Sequence, residues 1–296
     1  MKIARYIHKN KECYGILRDQ GVLCLPFLGK RFGKKLPSRL EDFIKSSDIN
    51  VKIAEDLLSK AKENDFDCVR APIAKVSFLA PLAFPPKIIC MGLNYVDHVS
   101  ETNTTIPDEP VIFMKPHTAI IGPNESIIKP NFVKELDYEG ELAIIIGKKA
   151  KNVSATETRS YIFGYTIFND VSARDLQFKD KQWTRAKSFD TFAPTGPCIT
   201  TQEQLPDTSN LSIRTWVNGE LRQNGTTKNM AFDVNQIVYQ LSRVMTLEPC
   251  DIIATGTPAG VGFAMKPQKF LRNGDIVRIE IEGIGTLENT IREKSQ

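Results

Sequence analysis

The 296-residue sequence predicts a mainly β protein of the α+β class, a mixed sheet curled into a roll or barrel behind a small leading α+β domain. Three observations predict it. Strand-length apolar runs outnumber helical stretches, and their connections are too irregular for a regular βαβ alternation, so helices belong at the periphery. A proline cluster, Pro81, Pro85 and Pro86, interrupts the chain, and proline fixes backbone angles and removes donors. The leading domain is therefore placed at 1–82 and the larger one at 83–296.

Residues 1 to about 30 alternate apolar and polar around short turns, the pattern of a small antiparallel sheet. From Asp48 the positions Ile53, Ala54, Leu57, Leu58 and Ala61 follow helical spacing, and a strand over 73–79 closes the leading part. Beyond the prolines, strands are expected at 87–91, 111–114, 142–146, 165–168, 213–217, 252–255 and 276–282. One helix is expected to open at Ser154, with Glu157 three residues on as a capping box. Another begins at Asp233, with Val234, Ile237, Val238, Leu241 and Met245 on one face.

Charged residues at 25% and hydrophobic ones at 41% describe an ordinary globular chain. The formal net charge of +4 is spread along the sequence; without a basic stripe, no nucleic-acid partner is expected. No apolar run is long enough for a bilayer, and the amino terminus lacks a signal-peptide h-region, so a soluble cytoplasmic protein is expected. The six cysteines, Cys13, Cys24, Cys68, Cys90, Cys198 and Cys250, include no Cys-x-x-Cys pair. They read as small buried hydrophobes in a reducing compartment, neither a zinc site nor a disulfide frame. Three histidines, His8, His98 and His117, disfavour a zinc centre built on several imidazoles; a hard cation held by carboxylates stays open.

In the segment from Glu135 to Gly147, Glu139 and Glu141 share a strand face, with Asp137 and Glu135 behind them. Like charges that close repel unless a cation or proton lies between them. With a third carboxylate they suit magnesium, manganese or calcium; alone they read equally as a solvent-facing acidic edge. Asp170 ends an apolar strand where a short helix starts, as a ligand or as an N-cap. Arg174 and Gln177, three apart, share a helical face and could fork onto a carboxylate or simply pair on the surface. Lys187, between small and aromatic residues, is a buried cation or an ordinary exposed lysine. His98 and Glu101, one helical turn apart, form either an oriented base or an exposed pair. The polar stretch 102–110 after them has the make-up of a lid. The glycine-rich 254–262 segment lets a ligand approach the backbone, with Thr257 offering a hydroxyl and an N–H to an oxyanion. It carries neither a phosphate-loop nor a dinucleotide-loop pattern.

In order, these blocks are Gly92-x-Asn94-Tyr95-x-Asp97-His98, Phe113-x-Lys115-Pro116, Asp137-Tyr138-Glu139-x-Glu141-Leu142 and Asn169-Asp170-x-x-x-Arg174-Asp175-x-Gln177. Lys187-Ser188-Phe189, Gly196-Pro197, Val217-Asn218-Gly219-Glu220-x-Arg222-Gln223, Met245-Thr246-Leu247-Glu248-Pro249 and Gly256-Thr257-Pro258-x-Gly260-Val261-Gly262 follow. Over roughly 85–292 the chain resembles the fumarylacetoacetate hydrolase family. The resemblance implies a mixed β-roll, a homodimer, and a divalent metal, Mg²⁺ or Mn²⁺ and sometimes Ca²⁺, held by Glu139, Glu141 and Asp170. It implies 2-oxo acid substrates that chelate the ion, contacted by Arg174, Gln177, Thr257 and Tyr95. It also implies Lys187 as a charge stabiliser and His98 with Glu101 as the dyad of members that cleave C–C bonds.

Two positions depart from relatives. Val96 and Leu93 stand where a basic residue occurs in some of them, so a charged substrate contact is missing. The reading that follows is a metal-dependent hydrolase cleaving a C–C bond of a 2,4-dioxo acid, an acylpyruvate or a diketo-deoxy sugar acid. The alternatives are a decarboxylase or isomerase of a 2-oxo dicarboxylate, a dehydratase of a 2-keto-3-deoxy sugar acid, and a non-catalytic metal and oxo-acid binder.

Overall fold

The computed structural model describes residues 1–67 and 69–293. Its middle is the strand Gly140–Ile146, buried along its whole length. Ile162–Asn169 pairs antiparallel on one side and Ile252–Ala254 on the other. A strand covered on both faces can be apolar throughout, and side chains still alternate. Leu142, Ile144 and Ile146 enter one core cluster, and Ala143 and Ile145 enter another. The first cluster lies against the residues of a five-stranded sheet; the second contains Leu25, Leu28, Phe43, Ile44, Ala54 and Leu57 of the amino-terminal helices.

The main sheet runs, in spatial order, Arg70–Pro72, Gly21–Cys24, Lys11–Arg18, Lys2–His8, Ala193–Thr201, Ile162–Asn169, Gly140–Ile146, Ile252–Ala254, Ile88–Gly92 and Val111–Lys115. It is mixed, because Ile252–Ala254 and Ile88–Gly92 pair in parallel. The second sheet orders Glu220–Thr226, Ser212–Val217, Ile276–Ile281, Gly285–Glu293 and Ser126–Lys129. The chain is mainly β with peripheral helices, as its pattern predicts, and each strand expected beyond the prolines is present within a few residues. The leading segment joins the main sheet directly, Lys2 opposite Thr200 and Ile3 opposite Ile199.

The helix Val234–Val244 begins with a complete capping box: Asp233 Oδ1 accepts from Gln236 N at 2.8 Å and Gln236 Oε1 accepts from Asp233 N at 2.9 Å. Ser47–Lys60 is the helix expected from Asp48. At Ser154 the expectation fails, since Ser154 Oγ donates to the Glu157 carboxylate at 2.5 Å instead of capping the backbone. Only the 3₁₀ turn Thr158–Tyr161 follows. The 73–79 strand is also shorter, a 3₁₀ turn Ile73–Lys75 and then Ser77–Phe78. Cys13 and Cys24 are joined as a disulfide, a correction to the reading of all cysteines as unpaired. Adjacent strands bring their Cα atoms to 6.6 Å, which linear spacing does not reveal. Cys90, Cys198 and Cys250 are free and buried; Cys68 lies outside the described residues. No described helix is long and apolar enough to cross a membrane.

Candidate metal centre and active site

The pairing register assembles the acidic centre. Gly140 lies opposite Asn169, so Glu139 and Asp170 meet where the two strands end. Asp170 N donates to Glu139 O at 2.9 Å, and Glu139 N donates to Asn169 Oδ1 at 3.1 Å. Glu141, two residues on along the strand, shares the face of Glu139. One carboxylate oxygen from each of Glu139, Glu141 and Asp170 lies within 4.8 Å of the others, and all three residues are buried.

Buried cations balance most of this charge. Lys187 Nζ bridges Glu139 Oε2 at 2.8 Å and Asp170 Oδ2 at 2.7 Å. Arg174 Nη1 meets Glu139 Oε1 at 2.7 Å, and Arg174 Nε meets Asp137 Oδ2 at 2.9 Å. Burial by itself would raise the Glu139 pKa, but the Lys187 and Arg174 charges outweigh it and hold that carboxyl at about 2. Glu141 goes the other way: burial first, then the Asp170 and Glu139 charges, push it well above the carboxylate range. Its Oε2 accepts from Gly256 N at 2.8 Å, whereas Oε1 is buried with no hydrogen-bond partner. Buried polar atoms are seldom left so. A hard divalent cation fits this observation and an all-carboxylate donor set.

Beside the centre is a cavity of about 230 Å³. His98, Glu139, Arg174, Gln177, Lys187 and Thr257 supply its polar lining, and Leu93, Phe113, Trp183 and Phe263 its apolar walls. His98 comes from the short helix Val96–Glu101, where i,i+3 spacing sets Nδ1 2.8 Å from Glu101 Oε1. Glu101 Oε2 accepts from Gly260 N at 2.9 Å, so the carboxylate is fixed at both oxygens. An acceptor at Nδ1 selects the tautomer with its proton there and leaves Nε2 as the basic nitrogen. Thr102 and Thr104 of the expected lid stretch also line the cavity.

Arg174 is held by Asp137, which accepts from the backbone of Gly262 and Phe263 at 2.8 and 3.1 Å. Its guanidinium lies 4.4 Å from the Phe263 ring centroid and donates to Gln177 Oε1 at 2.8 Å. Nη2 is buried without a partner. Thr257 Oγ1 donates to Gly140 O at 3.0 Å and accepts from Gln223 at 2.7 Å. Tyr95, expected to touch substrate, does not reach the cavity. It is fully buried in the main core, and its hydroxyl, close to Thr255, makes no hydrogen bond of acceptable geometry. Its neighbour Asn94 pins the backbone instead, through Thr255 O at 2.7 Å and Phe232 N at 2.8 Å.

Sequence reasoning gave no role to Lys115, Gln223 or Trp183. Lys115 Nζ binds Asp170 Oδ1 at 2.5 Å and Phe192 O at 2.6 Å. The only signal for it was its place in the Phe113-x-Lys115-Pro116 block.

The profile of the fumarylacetoacetate (FAA) hydrolase C-terminal family matches residues 87–292. Oxaloacetate tautomerase Fahd2a, mitochondrial, of Rattus norvegicus is 41% identical over 261 residues, 88% of this chain and 82% of the rat protein. Among solved structures, 5-carboxymethyl-2-hydroxymuconate delta-isomerase from Mycobacterium smegmatis is 38% identical with a TM-score of 0.76, covering 100% of both chains. Maleylpyruvate hydrolase from Sphingobium sp. SYK-6, in complex with manganese(II) and pyruvate, is 29% identical with a TM-score of 0.80, again over 100% of both.

Proposed function

The chain belongs to the fumarylacetoacetate hydrolase family, and on that premise we propose that it enolises a small 2-oxo acid, interconverting the keto and enol forms of an oxaloacetate-like dicarboxylate. The observation that carries this reading is the His98–Glu101 contact of 2.8 Å on the wall of a cavity whose polar lining includes the cations Arg174 and Lys187. The cavity is smaller than the roughly 300–1,000 Å³ of drug-sized sites, which favours a short acid.

Glu139, Glu141 and Asp170 would hold the divalent ion, with magnesium or manganese preferred and calcium a third option; bound, it supplies Lewis-acid polarisation of a 2-oxo group. His98 Nε2 removes a proton from the carbon beside that group, and the electron pair moves into the C–C bond as the oxygen takes negative charge. Glu101 steadies the imidazolium that results. Arg174 and Lys187 face the substrate's negative charge, and the apolar walls of Phe113, Trp183 and Phe263 limit water. Return of the proton from His98 to oxygen completes the enol; the reverse path restores the ketone. This chemistry needs one oriented base and no positioned water. The likeness to a tautomerase over 88% of the chain supports it.

A second reading, C–C hydrolysis of a 2,4-dioxo acid, has the same dyad deprotonate a water, and the likeness to maleylpyruvate hydrolase supports it. Purified protein is assayed with magnesium and with manganese against oxaloacetate and a panel of acylpyruvates. The proposal expects faster loss of enol absorbance without carbon dioxide release. Two acids from an acylpyruvate would establish the hydrolase instead, and carbon dioxide the decarboxylase. No turnover, with oxalate still raising the melting temperature, would leave only a binder. We also propose a homodimer, for which sedimentation should give twice the 33.2 kDa chain mass.

A further inference from the structure

The cavity rests on two pieces of chain that are distant in sequence. The strand end 139–141 carries two of the three carboxylates, and the 255–262 segment carries Gly256, which binds Glu141, and Thr257, which lines the cavity. One fully buried side chain joins them. Gln223, from Glu220–Thr226 of the second sheet, accepts from Gly140 N at 3.0 Å through Oε1. Through Nε2 it donates to Thr257 Oγ1 at 2.7 Å and to Pro258 O at 2.8 Å. A backbone N–H can only donate and a carbonyl can only accept, so these partners fix the amide orientation with no flip available.

The same bookkeeping constrains Thr257. Its single hydroxyl proton goes to Gly140 O, since a carbonyl must be the acceptor, and one lone pair accepts from Gln223. The side-chain donor expected for a substrate oxyanion is therefore already engaged. The seam is tight as well. A Cβ on Gly225 would lie 2.3 Å from Pro258 Cβ, and one on Gly260 would lie 2.1 Å from Arg222 O.

We propose that Gln223 is a positioning residue: its amide sets the spacing between Gly140, which lies between two metal ligands, and the Thr257–Pro258 turn, so that Glu141 and Thr257 face one site. The inference rests on the reading of Glu139, Glu141 and Asp170 as the metal centre. Gln223 holds the backbone between two of the carboxylates and not a carboxylate itself. Direct hydrogen-bonded supports of ligands typically cost about 10–100-fold in metal affinity or activity when removed, which sets the scale.

The test is manganese titration of full-length Gln223→Met, which keeps length and loses the amide, followed by thermal unfolding. The expected result is manganese affinity about tenfold or more below wild type. A merely structural side chain would lower the metal-free melting temperature and leave manganese affinity unchanged, and that result overturns the inference alone. A wild type that manganese does not stabilise overturns the metal reading and this inference with it. Should Gln223→Met fail to fold, Gln223→Glu serves. It keeps an acceptor for Gly140 N–H and loses both donations to the turn. Its manganese affinity should likewise fall about tenfold or more below wild type; wild-type affinity would overturn the inference.

Discussion

Gly256 donates its backbone N–H to Oε2 of Glu141 at 2.8 Å, while Oε1 of the same carboxylate is buried without a partner. Metal-free, Glu141 is a cost to the fold, because burial and the Asp170 and Glu139 charges oppose its ionisation. Glu141→Gln keeps an acceptor for Gly256 and removes one of three crowded carboxylates. The metal-free variant should melt at or above the wild-type temperature and lose the rise that manganese gives wild type. Thermal unfolding with and without manganese checks both signs; full manganese stabilisation of the variant would remove Glu141 from the metal centre.

The His98–Glu101 pair predicts a different pattern. His98→Ala should lower kcat by about 10²–10⁴ while largely sparing manganese binding, since His98 is not one of the three carboxylates proposed to hold the ion. Glu101→Gln retains one oxygen for two donors, the imidazole N–H and Gly260 N, so one contact fails and the ring is held less firmly. Its kcat should fall less than that of His98→Ala. Steady-state kinetics beside the manganese titration separates these losses from metal effects, and unchanged turnover of His98→Ala would end the proton-transfer role.

What the sequence disclosed and what it hid divide along sequence distance. The run 142–146 was readable as a buried strand because it is apolar at every position, and Glu139 and Glu141 because strand alternation sets them on one face. His98 and Glu101 are one helical turn apart. Lys115 reaches Asp170 across 55 residues and Gln223 reaches Gly140 across 83, and no local periodicity encodes such a contact. Ala193–Thr201 carries Pro194, Gly196 and Pro197, which suggest a loop, yet it pairs with both Lys2–His8 and Ile162–Asn169. Tyr95 misled because a motif names positions without saying where each side chain points.

Gly92 tests the cavity wall. A Cβ there would stand 2.2 Å from Trp183 Cζ3, and Trp183 packs edge-on to Phe113 at 5.7 Å. Gly92→Ala should drive the indole toward the cavity, raising KM more than it lowers kcat and costing about 1–3 kcal/mol of stability. The double variant Gly92→Ala with Trp183→Phe should recover much of the KM. Urea unfolding and kinetics of the three proteins decide it; a single variant with wild-type KM would show that the wall yields without cost.

Buried phenols set the alkaline limit. Burial pushes Tyr6 and Tyr165 up to about 12 from 10.0, and raises Tyr14 and Tyr138 further. Because the folded values lie above the unfolded one, this stability is complete below pH 10.0 and drains away as pH rises through about 12. Phenolate absorbance should therefore rise together with unfolding measured by circular dichroism. Titration of Tyr6 or Tyr165 near pH 10.0 in a folded protein would contradict this.

Lys115 offers the sharpest test of the charge balance. Its ammonium is fully buried on Asp170 Oδ1, Phe192 O and Val171 O, at 2.5, 2.6 and 3.2 Å. Lys115→Met would leave a buried carboxylate oxygen and two carbonyls without their shared donor, and breaking a buried pair costs about 3–5 kcal/mol. Asp170→Asn alone would leave the ammonium with carbonyls only, whereas the double variant removes both charges together. Its loss in urea unfolding should be well below the sum of the two single losses. Manganese binding should stay absent in the double variant, since the proposed metal centre has lost one of its three carboxylates whatever the fold regains. Additive losses would mean that Lys115 serves the Val171 and Phe192 carbonyls rather than Asp170, and the acidic centre would then depend on Lys187 and Arg174 alone.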